Sequence, residues 1–203
     1  MIFIFFRFLC RITARLLFRA QPLDLHNVPE KGGILIVSNH ASFLDPPLTG
    51  IFIKRPVHFL AKSELFRIPL FGTLLRHINA HPIRREGVDR EAIAMARDLL
   101  SSGNILVLFP EGTRTPDGNL QEIKTGMFLM VSGLENVPIV PAWIDGSFKA
   151  LPRGALVPRP VKITVRYGKA YNLPQKGVEI ARKDYYKTSA ELVYKSILSL
   201  KKP

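Results

Sequence analysis

The chain has 203 residues, of which 47% are hydrophobic, so it has enough apolar material for the core of one globular domain and is neither a peptide nor a fibre. Its 29 lysines and arginines exceed its 16 aspartates and glutamates by 13, yet only 22% of residues are charged, so the positive charge belongs to a folded protein rather than to a disordered basic tail. The single cysteine, Cys10, excludes an intrachain disulfide and a CxxC zinc site, and it favours a reducing compartment.

The first twenty residues place an arginine at every fourth position among isoleucine, phenylalanine and leucine: Arg7, Arg11, Arg15 and Arg19. Four residues advance an α-helix by about 400°, so these arginines share one face about 120° wide. We therefore predict that residues 1–22 form an amphipathic anchor helix in a membrane interface, with phenylalanines in the acyl region and arginines on phosphate headgroups. Three alternatives remain: a secretory signal, a spanning helix with two arginines near mid-bilayer, and a helix docked on an ordinary domain.

From residue 23 onward, short apolar runs alternate with helical stretches. We predict strands at 33–37, 57–61, 104–109, 138–143 and 161–167, and a further short strand that ends at Arg84 and Arg85. We predict helices at 89–101, 124–134 and 184–200. This alternation predicts one α/β domain over residues 23–203, with a mixed, largely parallel sheet flanked by helices.

The first candidate site follows the first of these strands, at Asn39, His40 and Asp45. Open α/β sheets bind ligands beyond the carboxyl ends of their strands. Five residues on one helix would separate two side chains by about 140°, so His40 and Asp45 can meet only across a loop, and the pair Asp45–Pro46 predicts that Asp45 caps the next helix. An imidazole with a carboxylate in reach suits general base catalysis on a hydroxyl. The alternative is that Asp45 only caps the helix and His40 only bonds to the backbone.

The second candidate site follows the strand at 104–109. Gly112 permits close approach of a ligand to the backbone, and Glu111 and Arg114 project at the same sheet edge as His40. Arginine suits a phosphate because its guanidinium is a forked, always charged donor. Lys124 adds a cation at the start of a predicted helix, where anions are favoured. The alternative is an ordinary strand-to-turn connection.

Both sites carry motifs of a known family. Residues 39–45 (Asn-His-Ala-Ser-Phe-Leu-Asp) match the NHxxxxD motif, and residues 109–115 (Phe-Pro-Glu-Gly-Thr-Arg-Thr) resemble the FPEGTRS motif, of the glycerolipid acyltransferases, particularly bacterial 1-acyl-sn-glycerol-3-phosphate acyltransferases. Weaker blocks extend the resemblance over residues 25–170. Asn79 stands where the family commonly has glycine, and His81 where it usually has an apolar or aromatic residue.

The resemblance implies the family's glycerol-3-phosphate acyltransferase-like fold, His40 as general base and Asp45 as its orienting partner. It assigns substrate binding to Arg85, Glu111, Gly112, Thr113 and Arg114, to which we add Lys124. The implied reaction moves an acyl group from acyl-CoA or acyl carrier protein to the 2-hydroxyl of lysophosphatidic acid, forming phosphatidic acid, without a metal or cofactor. Another lysophospholipid is the alternative acceptor. Membrane lipids are further implied partners, with the protein peripheral or monotopic on the cytoplasmic face of the membrane.

A nucleic-acid binding module is the alternative from another class, and it rests only on the net charge and the isoelectric point of about 10.2. The basic residues are scattered or concentrated near the N-terminus rather than interleaved with aromatics in a known motif, so we expect no nucleic-acid partner. A lipid-binding homologue without catalysis is a second alternative, and the presence of both His40 and Asp45 argues against it.

Overall fold

The computed structural model describes residues 2–84, 87–134, 136–174 and 181–202, with side chains from Arg7 onward. Its helices are α1 (Ile2–Phe18), α2 (Asp45–Gly50), α3 (Phe71–His77), α4 (Arg90–Ser101), α5 (Phe128–Val131), α6 (Ser147–Ala150) and α7 (Arg182–Leu198). Its strands are β1 (Gln21–Leu23), β2 (Ile34–Ser38), β3 (Val57–Lys62), β4 (Ala80–Ile83), β5 (Ile105–Leu108), β6 (Ile139–Asp145) and β7 (Thr164–Tyr167). Short 3-10 turns lie at Leu25–Asn27, Ser63–Arg67 and Thr125–Met127.

Within the described residues, seven strands form one sheet in the order β1-β7-β6-β2-β5-β3-β4. Strands β2 to β6 all run parallel, β7 is antiparallel to β6, and β1 is parallel to β7. This confirms the predicted mixed, largely parallel sheet. Val37 at the end of β2 lies opposite Leu108 at the end of β5, so the loops that follow these two strands leave the sheet side by side.

The apolar side chains of β2 alternate between two cores. Ile34 and Ile36 pack on the face covered by α1 and α2, whereas Leu35 and Val37 pack on the face covered by α4, α5 and α7. A central strand of a parallel sheet is buried on both faces, which is why this strand is a continuous apolar run. The loop after β2 therefore starts from the most enclosed part of the fold.

Two predicted elements differ in extent from the observed ones. The helix predicted at 124–134 is instead the 3-10 turn Thr125–Met127 followed by α5, because Gly126 weakens its start and Gly133, at φ +73°, ends it. The last strand begins at Thr164 rather than at 161, although the predicted alternation holds, with Ile163, Val165 and Tyr167 buried. The sequence patterns did not predict β1, α3 and α6, which are too short to produce a periodic signal.

Helix α1 docks on the domain through Arg7, Arg11, Ala14 and Phe18, so two of the four arginines predicted to bind headgroups contact the protein instead. Arg11 donates from Nε to the Ile51 carbonyl at 3.0 Å, and Arg7 donates to the Lys54 carbonyl at 3.2 Å. Ile51 is the C-cap of α2, where unpaired carbonyls attract cations. The apolar side chains of Phe8 and Leu16 point to solvent instead. Among the described residues, no helix has the length and hydropathy that a bilayer crossing requires.

Candidate active site

His40 and Asp45 meet across the loop after β2, as the sequence predicts. The His40 Nδ1 lies 2.9 Å from the Asp45 Oδ2, with the Asp45 side chain fully buried and 13% of the His40 side chain exposed. The same Oδ2 accepts hydrogen bonds from the backbone N–H of Ala41 at 2.6 Å and of Ser42 at 2.7 Å. The carboxylate is therefore fixed by the loop that carries the histidine.

The predicted capping role of Asp45 is wrong. The N-cap of α2 is Leu44, and Asp45 is the first residue of the helix. Its carboxylate turns back toward the preceding loop because the N–H groups of Ala41 and Ser42 converge on it there. The residue thus orients the histidine and does not cap the helix.

The Asp45 carboxylate determines which ring nitrogen of the neutral His40 carries the proton. An ionised carboxylate only accepts hydrogen bonds, so the neutral imidazole carries its proton on Nδ1 and presents its lone pair at Nε2. Phe109 stacks on the ring with the centroids 4.3 Å apart, and the Thr115 N–H donates to the His40 carbonyl at 2.8 Å. The sequence patterns did not predict the contacts with Phe109 and Thr115.

Asn39 joins the loop between β2 and α2 (residues 39–44), which we call the catalytic loop after its candidate base His40, to β6. Its Oδ1 accepts from the Ile144 N–H at 2.7 Å, and its Nδ2 donates to the Ile144 carbonyl at 2.9 Å. The side chain is buried, so it fixes the end of β2 against its neighbour. A lone asparagine directly after a buried strand is the signal that could have pointed to this role.

Glu111 holds the backbone of the catalytic loop. Its side chain is buried, and Oε1 accepts from the His40 N–H at 2.6 Å while Oε2 accepts from the Gln121 N–H at 2.8 Å. The pKa of Glu111 is raised to about 7, chiefly by burial and also by the charges of Asp45 and Asp117, against the lowering effect of the two backbone donors. These contacts support a positioning role for a residue that the family resemblance assigned to the substrate.

The remaining predicted binding residues gather beside this loop. Gly112 has φ +72°, and a Cβ atom there would lie 3.1 Å from the Cδ of Lys124, so the lysine stem crosses directly over the glycine. The Arg114 guanidinium lies 3.6 Å from the centre of the Phe43 ring, and Thr113 is exposed at the tip of the turn. The structure thus brings Gly112, Arg114 and Lys124 to the sheet edge that carries His40.

The predicted phosphate ligand Arg85 lies outside the described residues. Its neighbour Arg84 follows β4 and lies 3.6 Å from Asp89. Strand β4 is three strands from β2, a separation of about 14 Å. Among the described residues, no three histidine, cysteine, aspartate or glutamate side chains converge as the ligands of a metal ion do.

Comparison with known proteins gives one consistent family. Residues 23–145 match the family model described as Acyltransferase. A Bacillus subtilis protein named 1-acyl-sn-glycerol-3-phosphate acyltransferase is 31% identical over 121 residues, which are 59% of this chain and 59% of that protein. A Limnanthes alba protein of the same name is 32% identical over 181 residues, which are 83% of this chain and 60% of that protein.

A solved structure shares the fold. The crystal structure of the 1-acyl-sn-glycerophosphate acyltransferase PlsC from Thermotoga maritima aligns with a TM-score of 0.78 at 25% identity, covering 99% of this chain and 81% of that chain. The match spans less than two thirds of the length of each curated relative named above, and 38% of the length of a chloroplastic relative from Brassica napus. The family model covers more than half of the chain and contains His40, Asp45 and the Glu111–Arg114 turn. The chain therefore belongs to the Acyltransferase family, as the two motifs indicated.

Proposed function

We propose that this protein transfers a fatty acyl group from a thioester to the 2-hydroxyl of 1-acyl-sn-glycerol-3-phosphate, forming phosphatidic acid. The observation that carries the proposal is the His40–Asp45 pair, which is fixed at the sheet edge beside Arg114 and Lys124. The names of the Bacillus subtilis and Limnanthes alba relatives, and the shared fold of the Thermotoga maritima acyltransferase, support the substrate class.

The proposed reaction uses His40 as the base. Its Nε2 takes the proton of the acceptor hydroxyl while the hydroxyl oxygen attacks the thioester carbonyl carbon, and Asp45 stabilises the imidazolium that forms. The tetrahedral intermediate then collapses, the C–S bond breaks, and the imidazolium returns the proton to the departing thiolate. Transfer is direct, because the nearby Ser42 hydroxyl is buried and donates to the Leu151 carbonyl at 2.8 Å.

The acceptor phosphate is proposed to bind the cations beside the histidine. Arg114 and Lys124 supply charges at the same sheet edge, and the close approach that Gly112 permits is taken by the Lys124 side chain. Arg85 remains a predicted third ligand. Thr113, exposed at the tip of this turn, stays in the proposed acceptor site.

Acyl-CoA and acyl carrier protein are both proposed donors, because each offers a thioester on an anionic carrier and the chain has a formal charge of +13. We also propose that the protein is peripheral or monotopic on the cytoplasmic face of the membrane. The exposed apolar face of α1 (Phe8, Leu9, Ile12, Leu16 and Leu17) would enter the lipid, while Arg7 and Arg11 stay bound to α2.

The proposal is tested by acyl transfer with the purified full chain. Free thiol release is followed with oleoyl-CoA, and then with oleoyl carrier protein, in the presence of lysophosphatidic acid, lysophosphatidylcholine or lysophosphatidylglycerol. We expect turnover with lysophosphatidic acid, and we expect Arg114→Ala to raise its apparent KM more than the donor's. Arg182→Ala, on the exposed start of α7, is the matched control. Turnover only with the other lysolipids would show that one of them is the acceptor. No turnover with any combination of donor and acceptor would reject the proposed function.

A further inference from the structure

The segment between α6 and β7 exposes two large apolar side chains. Leu156 is 94% exposed and Val157 is 77% exposed. Arg153 and Arg159 are exposed too, and each lies three residues from Leu156 along the chain. We call residues 152–160 the 152–160 loop. Its tip therefore combines apolar side chains with flanking cations.

The chain around this loop is strongly basic. Between Asp145 and Glu179 the sequence contains seven lysines and arginines and no aspartate or glutamate. Of these cations, Lys149 and Lys162 are exposed at the two ends of the loop. Apolar side chains flanked by exposed cations match an anionic lipid surface, because the apolar groups can enter the acyl region while the cations bind the headgroups.

The base of the 152–160 loop is closed by backbone hydrogen bonds. The Arg159 N–H donates to the Ala150 carbonyl at 2.7 Å, and the Ala155 N–H donates to the Pro152 carbonyl at 3.1 Å. Pro152, Pro158 and Pro160 further restrict the chain. Leu156 and Val157 are thus presented on a defined turn.

The ends of the loop connect the catalytic loop to α1. At one end, the Leu151 carbonyl accepts the hydrogen bond from the Ser42 hydroxyl, two residues from His40. At the other end, the Ile163 N–H donates to the Phe18 carbonyl at 2.9 Å, at the end of α1 that exposes Leu16. The 152–160 loop therefore spans the distance between the catalytic histidine and the proposed anchor helix.

We propose that the 152–160 loop is a second membrane-binding element, in which Leu156 and Val157 enter the bilayer interface and Arg153 and Arg159 bind anionic phosphate headgroups. This inference rests on the membrane placement proposed above for α1. Two separate contacts fix the tilt of a protein on a surface, which one helix does not. The loop then sets how far His40 stands from the headgroups that carry the acceptor phosphate.

Insertion is tested by tryptophan fluorescence on the full chain. The only native tryptophan, Trp143, is buried, so Leu156→Trp adds a reporter at the tip of the loop and Leu16→Trp adds one on α1. With vesicles of phosphatidylcholine and 30% phosphatidylglycerol, we expect blue-shifted emission and quenching by brominated lipid for both variants. Quenching at Leu16→Trp but not at Leu156→Trp would overturn this inference and leave the anchor intact. Quenching at neither position would reject the membrane placement itself.

Headgroup binding is tested by vesicle flotation. Arg153→Gln with Arg159→Gln should weaken binding to the anionic vesicles about 30-fold, and Leu156→Ser with Val157→Ser about tenfold. The matched control is Arg182→Gln with Lys183→Gln, which removes the same charge from the exposed start of α7. An equal loss in the control, or a loss of binding to acyl carrier protein without a loss on vesicles, would overturn the proposal.

Discussion

His40 is restrained at its ring and at its backbone. Asp45 bonds Nδ1, Phe109 stacks on the ring, Glu111 bonds the backbone N–H and Thr115 bonds the carbonyl. A base that is held in one orientation loses little entropy when the acceptor hydroxyl arrives. Replacement of the ring should therefore affect the transition state far more than ground-state binding.

The first prediction concerns the catalytic pair. His40→Ala should lower kcat at least 10²–10⁴-fold, on the order expected for loss of a general base, with little change in the thermal midpoint. Asp45→Asn keeps one acceptor oxygen for the Ala41 and Ser42 N–H groups but no longer stabilises the imidazolium, so it should fold and also lose most activity. Thiol release and circular dichroism melting measure the two effects. A folded His40→Ala protein with near wild-type turnover would refute the mechanism.

The second prediction concerns the buried carboxyl of Glu111. Its folded pKa of about 7 lies above the ordinary value of 4.5, so its contribution to stability is complete below pH 4.5 and is lost as the pH rises through 7. Glu111→Gln carries no titrating proton, so it should remove this part of the pH dependence, on the order of 3 kcal/mol at most. The measurement is the slope of the free energy of unfolding against pH between pH 5 and 8. The slope is used because the substitution to Gln also changes the stability by an amount that does not depend on pH. Parallel wild-type and variant curves would contradict the assignment.

At the scale of elements, the four N-terminal arginines form two pairs with different surroundings. Arg7 and Arg11 bond carbonyls at and just after the end of α2, whereas Arg15 and Arg19 are exposed. An amphipathic pattern alone does not show which arginines contact the protein, which is why the sequence predicted headgroup contacts for all four.

The third prediction follows from this division. Arg7→Gln with Arg11→Gln should destabilise the docked helix by about 1–2 kcal/mol, because charge-assisted bonds to carbonyls are lost from a partly exposed site. Arg15→Gln with Arg19→Gln should instead weaken binding to anionic vesicles and leave the thermal midpoint nearly unchanged. Melting and flotation of both variants measure the two effects. If the Arg7 and Arg11 variant lost vesicle binding while the Arg15 and Arg19 variant lost thermal stability, Arg7 and Arg11 would be the arginines that bind headgroups.

Strands β3 and β4 carry a histidine pair that the family motifs do not include. The His58 Nδ1 lies 2.9 Å from the His81 Nε2, and both rings are half-buried. One nitrogen must donate and the other accept, so the pair shares one proton. This contact accounts for His81 at a position where the family usually has an apolar or aromatic residue.

The fourth prediction is the acid sensitivity of this pair. Burial lowers the pKa of His58 and of His81, and the charge on His81 lowers the pKa of His58 further. The unfolded chain therefore binds protons more readily, so stability is complete above the ordinary histidine value of about 6.5 and falls as the pH drops below it. His58→Gln and His81→Gln should each flatten the loss of stability between pH 7 and 5, and the double variant should flatten it by less than the sum of the two, because each single variant already removes the charge repulsion between the rings. Fully additive effects would show that the two rings titrate independently.

At the scale of the whole molecule, the sheet and the catalytic pair follow from local sequence. Buried runs such as Ile34–Ser38 are visible as apolar segments, and His40 and Asp45 are close enough along the chain for a loop to bring them together. The role of Glu111 is not visible in this way, because its bond to the His40 N–H joins residues 71 positions apart. This contact depends on the pairing of β2 with β5, which only the assembled sheet determines.

The position of β2 between β5 and β6 also determines which segments of the chain unfold locally first. Backbone amides of a strand buried on both faces exchange with solvent only when the whole domain unfolds, whereas those of edge strands and terminal helices exchange through local opening. The Ile36 and Val37 amides should therefore be among the slowest to exchange with deuterium, and those of α1 and β4 among the fastest. The loop that carries His40 begins at the residue after β2, so α1 should open locally well before the His40–Asp45 contact is lost.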